Sequence, residues 1–180
     1  MKTHKIGSYF SGIGGIDLAF GEGFRRRGIP IEHAYFCEIE DYPRQILARH
    51  WPEVEIYQDI TKVEPNEIIK KHGEISIIHG GFPCQDISIA GKGDGLAGAR
   101  SGLFYELMRQ IRGIRPRYVF LENVPAILIR GRGLDRVLWE LSTAGDDAEW
   151  GIVSARQVGA RHLRKRWFCI ATPNPKYLPF

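Results

Sequence analysis

A chain of 180 residues, 43% hydrophobic and 26% charged, is long enough for one domain with a real core and has the make-up of an ordinary globular protein. No apolar run approaches the roughly 20 residues a membrane span needs, and the opening MKTHKIGSYF is too short and too polar for a secretion signal, so a cytoplasmic location is the default expectation. A formal net charge of +4 is compatible with a polyanionic partner and equally with a slightly basic enzyme that meets no nucleic acid.

In chain order, the apolar run at residues 6–10 predicts a strand that leads into Phe10-Ser11-Gly12-Ile13-Gly14-Gly15. A helix follows, in which Ile16, Phe20 and Phe24 recur every four residues. Further strands are predicted at 33–37, 54–57, 75–79, 118–121, 151–155 and 167–171. Asp41 is placed to cap a helix running to about His50, with Pro43 tolerated in its first turn. Leu103, Phe104, Leu107, Met108 and Ile111 form one apolar stripe with Ser101 as its N-cap, and Leu134, Val137, Leu138 and Leu141 form another. Alternating strands and helices predict an α/β fold, an open and mostly parallel seven-stranded sheet with helices on both faces, in a single domain over residues 1–180. Residues 84–101 show no periodicity and carry Gly91, Gly93, Gly95 and Gly98. A loop of that length is usually functional, and its glycines suit a lid.

In open α/β sheets ligands bind beyond the carboxyl ends of the strands. The glycine turn after the first strand is not the dinucleotide fingerprint, because Asp17 stands where the third glycine belongs. A nucleoside ligand fits better than a pyrophosphate, and a purely structural turn fits as well. Glu38 follows the second strand, where a carboxylate accepts from two ribose hydroxyls, and Asp59 follows the third, where it meets an adenine amino group. Each acid alone reads as a loop charge or a helix cap; their joint placement favours an adenosine site.

The three cysteines are odd in number and far apart, which argues against a disulfide framework or a zinc site. Cys37 and Cys169 lie in apolar stretches and read as buried thiols. Cys84 differs: Gly80-Gly81-Phe82-Pro83 precede it and Gln85 follows, so the thiol sits on a loop at the carboxyl edge of the sheet. A hydrolase would need a histidine base; His79 is near but falls within a strand, and no triad emerges. The fifth strand leads into Glu122-Asn123-Val124-Pro125, which brings a carboxyl group beside the thiol. A partly desolvated glutamate has a raised pKa and can give a proton near neutrality, although the same residue could cap a helix. Arg156, Arg161, Arg164, Lys165 and Arg166 crowd one segment near the end.

Taken together, these motifs resemble the cytosine-5 DNA methyltransferases of bacteria and phages. Residues 10–15 resemble the family's S-adenosylmethionine (AdoMet) motif, Gly81-Phe82-Pro83-Cys84-Gln85 its Pro-Cys motif, and Glu122-Asn123-Val124 its Glu-Asn-Val motif. His162-Leu163-Arg164-Lys165-Arg166 resembles its Gln-x-Arg-x-Arg motif. The resemblance covers nearly the whole chain and implies a Rossmann-like AdoMet-dependent methyltransferase fold. It implies methyl transfer to carbon 5 of a cytosine flipped from double-stranded DNA, with Cys84 as nucleophile, Glu122 at ring nitrogen 3 and the amino group, Arg166 at the carbonyl oxygen, and Arg164 ordering the loop and phosphate. It also implies that Phe10 and Ile39 enclose the adenine, that Glu38 and Asp59 hold ribose and amino group, and that Leu103 touches the amino-acid part. Gly12, Gly14, Gly15, Ile60 and Pro83 complete the expected cofactor set, and no metal is expected.

Departures from the pattern are visible. His162 replaces the motif's glutamine, Arg161 the proline often before it, and Ser8 an acid that many members carry near the cofactor's amino group. The family's target-recognition region and closing motifs, one of them a returning helix, are not in these 180 residues. An active enzyme, alone or with a second polypeptide that supplies those parts, therefore stands beside a non-catalytic AdoMet- or DNA-binding remnant and an RNA cytosine methyltransferase. Restriction-modification and orphan roles both stay open. Phosphate contacts from the arginine segment imply salt-sensitive binding.

Overall fold

The computed structural model describes residues 2–83 and 102–177. Its elements run β1 (His4–Tyr9), α1 (Gly15–Arg25), β2 (Ile31–Cys37), α2 (Asp41–His50), β3 (Glu55–Tyr57), α3 (Pro65–His72), β4 (Ile77–Gly80), α4 (Gly102–Ile114), β5 (Tyr118–Asn123), α5 (Leu134–Thr143), β6 (Asp146–Ser154) and β7 (Lys165–Pro173). All seven strands form one sheet in the order β3-β2-β1-β4-β5-β7-β6. The first five pair in parallel, and β7 runs antiparallel to both β5 and β6.

Each face of the sheet is covered by helices for a reason visible in the side chains. Ile68 of α3, Phe104, Leu107, Met108 and Ile111 of α4, and Val137 and Leu141 of α5 join one buried cluster with Val119, Leu121, Trp167 and Cys169 of the strands. On the opposite face, Leu47 of α2 is buried, Trp51 packs on Phe36 of β2, and Phe20 of α1 meets Phe120 of β5 edge-on. Burial on both faces explains why the central strands read as unbroken apolar runs rather than alternating ones. Among the described residues no helix is long and apolar enough to cross a membrane.

The chain starts in the middle of the sheet, winds outward through β2 to β3, and then returns to lay β4 on the other side of β1. Such a reversal opens a crevice at the carboxyl ends of the two strands that flank it. Both glycine-rich turns singled out in the sequence, after β1 and after β4, end there.

Several boundaries differ from expectation. β5 continues to Asn123, so Glu122 is a strand residue and not a helix cap. β6 begins at Asp146, ahead of the predicted start at 151: it is an edge strand, and its first residues, with Asp147, Glu149 and Trp150 exposed, show no continuous apolar run. Glu40 takes the cap position of α2 and Asp41 is its first helical residue. The short helix α3, opened by Pro65, went unread in the sequence. Ser101 and the predicted lid at 84–101 lie outside the described residues.

Candidate active site

At the crevice lies a cavity of about 320 Å3. Phe10, Glu38, Ile39, Asp59, Pro83 and Leu103 line it, as does Ile60. Seven of the ten residues expected to hold a cofactor therefore share one wall. Cys37, Glu40, Gln58 and Gly81 line it as well, and sequence reasoning did not foresee them. All four adjoin residues that it did name at the ends of β2, β3 and β4.

Gly12, Gly14 and Gly15 do not line this cavity; they shape the turn behind it. Gly14 has φ +82, and a Cβ there would come within 2.6 Å of the Trp51 ring, so only glycine fits. Phe10 itself adopts φ +53, a left-handed conformation that a bulky residue holds only when its surroundings impose it. The amide of Ser11 donates to the Cys37 carbonyl at 3.3 Å and that of Gly12 to a Glu38 carboxylate oxygen at 2.7 Å, binding the turn to the end of β2. The other Glu38 oxygen accepts from the Glu40 amide at 2.9 Å. Glu38 is thus fixed by main-chain donors, and each oxygen retains capacity for one more bond.

Asp59 is held in the same manner. One of its oxygens accepts from the hydroxyl and the amide of Thr61, at 2.7 and 3.0 Å, which caps the short helix Ile60–Lys62. Those two bonds keep its carboxyl below the usual range, and its second oxygen is 3.9 Å from the Lys62 ammonium. A cavity lined by the apolar side chains of Phe10, Ile39 and Ile60 and by the carboxyl groups of Glu38 and Asp59 suits a nucleoside: it offers apolar surface for a base and acceptors for hydroxyl and amino donors.

The chemical end adjoins this cavity through Gly81. A Cβ on Gly81 would lie 2.9 Å from the Glu122 carboxylate, so the backbone three residues before Cys84 and the acid at the end of β5 are in contact. Asn123 donates its side-chain amide to the Phe82 carbonyl at 3.1 Å, fastening the same turn to β5. Arg166 of β7 pairs with Glu122 through Nε at 2.6 Å, with side chains 24% and 22% exposed. Burial raises the Glu122 pKa, and the guanidinium groups of Arg166 and Arg164 oppose that shift without cancelling it. Arg164 and His162 are exposed on the turn that enters β7, where the Arg164 carbonyl accepts from the Ala155 amide at 2.8 Å. Cys84 itself lies outside the described residues. Cys37 and Cys169 are buried, and burial pushes each thiol up to about 12, which makes both poor nucleophiles.

Beneath the glycine turn is a polar cluster that the sequence did not announce. Asp17, read there only as a missing glycine, is fully buried and touches both His79 and Ser8. Ser8 is equally buried and lines no part of the cavity. Among the described residues no cluster of side chains could hold a metal ion.

Known proteins place this arrangement in context. Residues 4–178 match the family model described as C-5 cytosine-specific DNA methylase. The type II methyltransferase M2.BsuMI of Bacillus subtilis is 34% identical over 184 residues, which cover 98% of this chain and 44% of that protein. The type II methyltransferase M.NgoBV of Neisseria gonorrhoeae is 30% identical, over 98% of this chain and 43% of that protein. The chain thus spans less than half the length of these curated relatives. Among solved structures, the Entamoeba histolytica methyltransferase EhMeth superposes with a TM-score of 0.80 at 19% identity over all of this chain and 56% of that one, a likeness of fold alone. A family match over almost every residue, on a sheet that brings Glu122 against the turn leading to Cys84, shows that this chain belongs to the C-5 cytosine-specific DNA methylases.

Proposed function

We propose that this chain is the catalytic domain of a DNA cytosine-5 methyltransferase that uses AdoMet as methyl donor. The single observation that carries the reading is the double role of Gly81. It lines the cavity at the crevice and also abuts Glu122, so the methyl donor and the base to be modified would meet across one glycine. Glu38 and Asp59, each with an oxygen left to accept, would hold the ribose hydroxyls and the adenine amino group. Phe10 and Ile39 would enclose the adenine, with Ile60, Pro83 and Leu103 completing the wall. When bound, AdoMet supplies an electrophilic methyl group.

In this reading a cytosine is flipped out of the duplex. Glu122, with its raised pKa, hydrogen-bonds ring nitrogen 3 and the amino group, and stabilises the charge that develops as the Cys84 thiolate adds to carbon 6. Arg166, already beside Glu122, reaches the carbonyl oxygen. Carbon 5 takes the methyl group and loses its proton to a base, and the bond from carbon 6 to the thiolate breaks. Arg164, Lys165 and Arg161 supply cationic contacts to phosphate. Reading of a particular base sequence falls to further polypeptide, in line with relatives more than twice as long.

Tritiated AdoMet and unmethylated duplex DNA of mixed sequence provide the test, with the chain alone and with the polypeptide encoded beside it. Label in DNA that disappears with Cys84→Ser is the expected result. Label in transfer RNA but not in DNA would reassign the substrate, and AdoMet binding without transfer under any condition would leave a binding module.

A further inference from the structure

Asp17 sits in the first turn of α1 and is fully buried. Its carboxylate gathers one side chain from each of three adjacent central strands. One oxygen is 2.7 Å from His79 Nε2 of β4 and 3.4 Å from His33 Nε2 of β2, and the other accepts from the Ser8 hydroxyl of β1 at 3.2 Å. A buried carboxylate is expensive unless it is well bonded. Here burial pushes the group upward, but the imidazoles of His33 and His79 outweigh it and hold Asp17 below the usual carboxylate range. Its place in the first helical turn adds the favourable field of the helix N-terminus.

Two connections leave this hub. Ser8 Oγ lies 2.8 Å from Ser11 Oγ; with the Ser8 proton on Asp17, the Ser11 hydroxyl is the donor of this pair, its other acceptor within reach being the Ser8 carbonyl at 3.1 Å. Ser11 stands between Phe10 and Gly12, one of which lines the cavity while the other holds Glu38. Along β4, His79 is followed by Gly80 and Gly81, which leads to the Glu122 contact. A hydroxyl pair therefore joins the hub to the turn, and one imidazole joins it to the strand beneath the chemical end.

We infer that Asp17 is a positioning residue for the cofactor turn, acting through Ser8 and Ser11, with His79 anchoring the hub to β4. The inference rests on the cavity being the AdoMet site. Its physical content is that Ser11, and with it Phe10 and Gly12, owes its position to a charged group that never touches the ligand. A carboxylate that merely stabilised the core would support all parts of the sheet alike and leave the turn's geometry unchanged once the protein had folded.

Calorimetric titration of AdoMet into the wild-type chain, Asp17→Asn, Ser8→Ala and the double variant tests this, at a temperature where circular dichroism shows all four folded. Asp17→Asn keeps the shape and removes the charge, and Ser8→Ala cuts the connection while leaving Asp17 with both histidines. A loss of about ten-fold in affinity is expected for each, the size of one hydrogen bond to a charged group. The double variant should be no weaker than Asp17→Asn alone, because both changes break one relay. The Ser8→Ala result stands even if Asp17→Asn proves too unstable to titrate. Wild-type binding with Ser8→Ala within two-fold of it, whatever the melting temperatures, would overturn the relay alone. Absence of AdoMet binding in the wild-type chain would overturn the cofactor reading and the relay with it.

Discussion

The cofactor end and the chemical end of this site hold their acids in different ways. At the cofactor end, Glu38 accepts from the amides of Gly12 and Glu40, and Asp59 from the amide and hydroxyl of Thr61. At the chemical end, Glu122 is matched with the Arg166 side chain, and among the described residues no backbone donor binds it. Main-chain donors fix a carboxylate before any ligand arrives, which is how preorganisation lowers the cost of binding. A side-chain partner can turn away, so in the proposed mechanism Glu122 and Arg166 would redistribute their bonds onto the cytosine ring. The contrast predicts that perturbations at the two ends have separable consequences, affinity at one and turnover at the other.

The sharpest way to break that comparison is Cys84→Ser. Methyl transfer should be abolished, while AdoMet affinity measured by calorimetry stays within a few-fold of wild type, since the acids expected to hold AdoMet, Glu38 and Asp59, keep the donors that fix them. Equal loss of both quantities would mean that the ends are not separable. Next in size is Gly14→Ala. The left-handed backbone and the 2.6 Å approach to Trp51 make a methyl group intolerable there, at a cost of about 2–4 kcal/mol. Thermal denaturation should show a Tm lower on the order of 10 °C. An unchanged Tm would mean that the turn can be built another way. Glu38→Ala follows, with AdoMet binding weaker by about 1–3 kcal/mol, because two backbone amides and the ligand all lose their acceptor. Unaltered affinity in the same titration would move the ribose elsewhere.

The two ends also differed in how much of them the sequence revealed. A strand with both faces covered leaves an apolar run, and Glu38, which follows directly on one, could be placed at the rim without knowing which strands are neighbours; Asp59 could be placed likewise two residues beyond the short strand β3. The Glu122 position needed only the end of β5. Contacts that depend on strand order could not be found that way. Asp17 meets His33 and His79 only because β1 lies between β2 and β4, and the pattern of α1 offers no sign that one polar residue among its apolar ones is buried. Arg166 faces Glu122 only because β7 inserts antiparallel beside β5 ahead of β6. Family motifs marked that arginine; composition and spacing would have left it in a basic cluster.

The smallest expected effect sharpens the comparison at Glu122. Its raised pKa means that the folded chain binds this proton more readily than the unfolded chain, whose glutamate titrates near 4.3. Any stability this group contributes is therefore fully present below about pH 4 and is lost as pH rises through the raised folded value. Glu122→Gln stays uncharged throughout and keeps an acceptor for Arg166, so it escapes that loss. The Tm of Glu122→Gln relative to wild type should thus improve between pH 4 and pH 8. Solvent reaches the pair and Arg166 opposes the burial, so the gain stays below about 1 kcal/mol. A relative Tm that instead falls with rising pH would show that the ion pair outweighs burial. Glu122 would then be as firmly fixed as the acids at the cofactor end, and a proton-donating role near neutral pH would lose its basis.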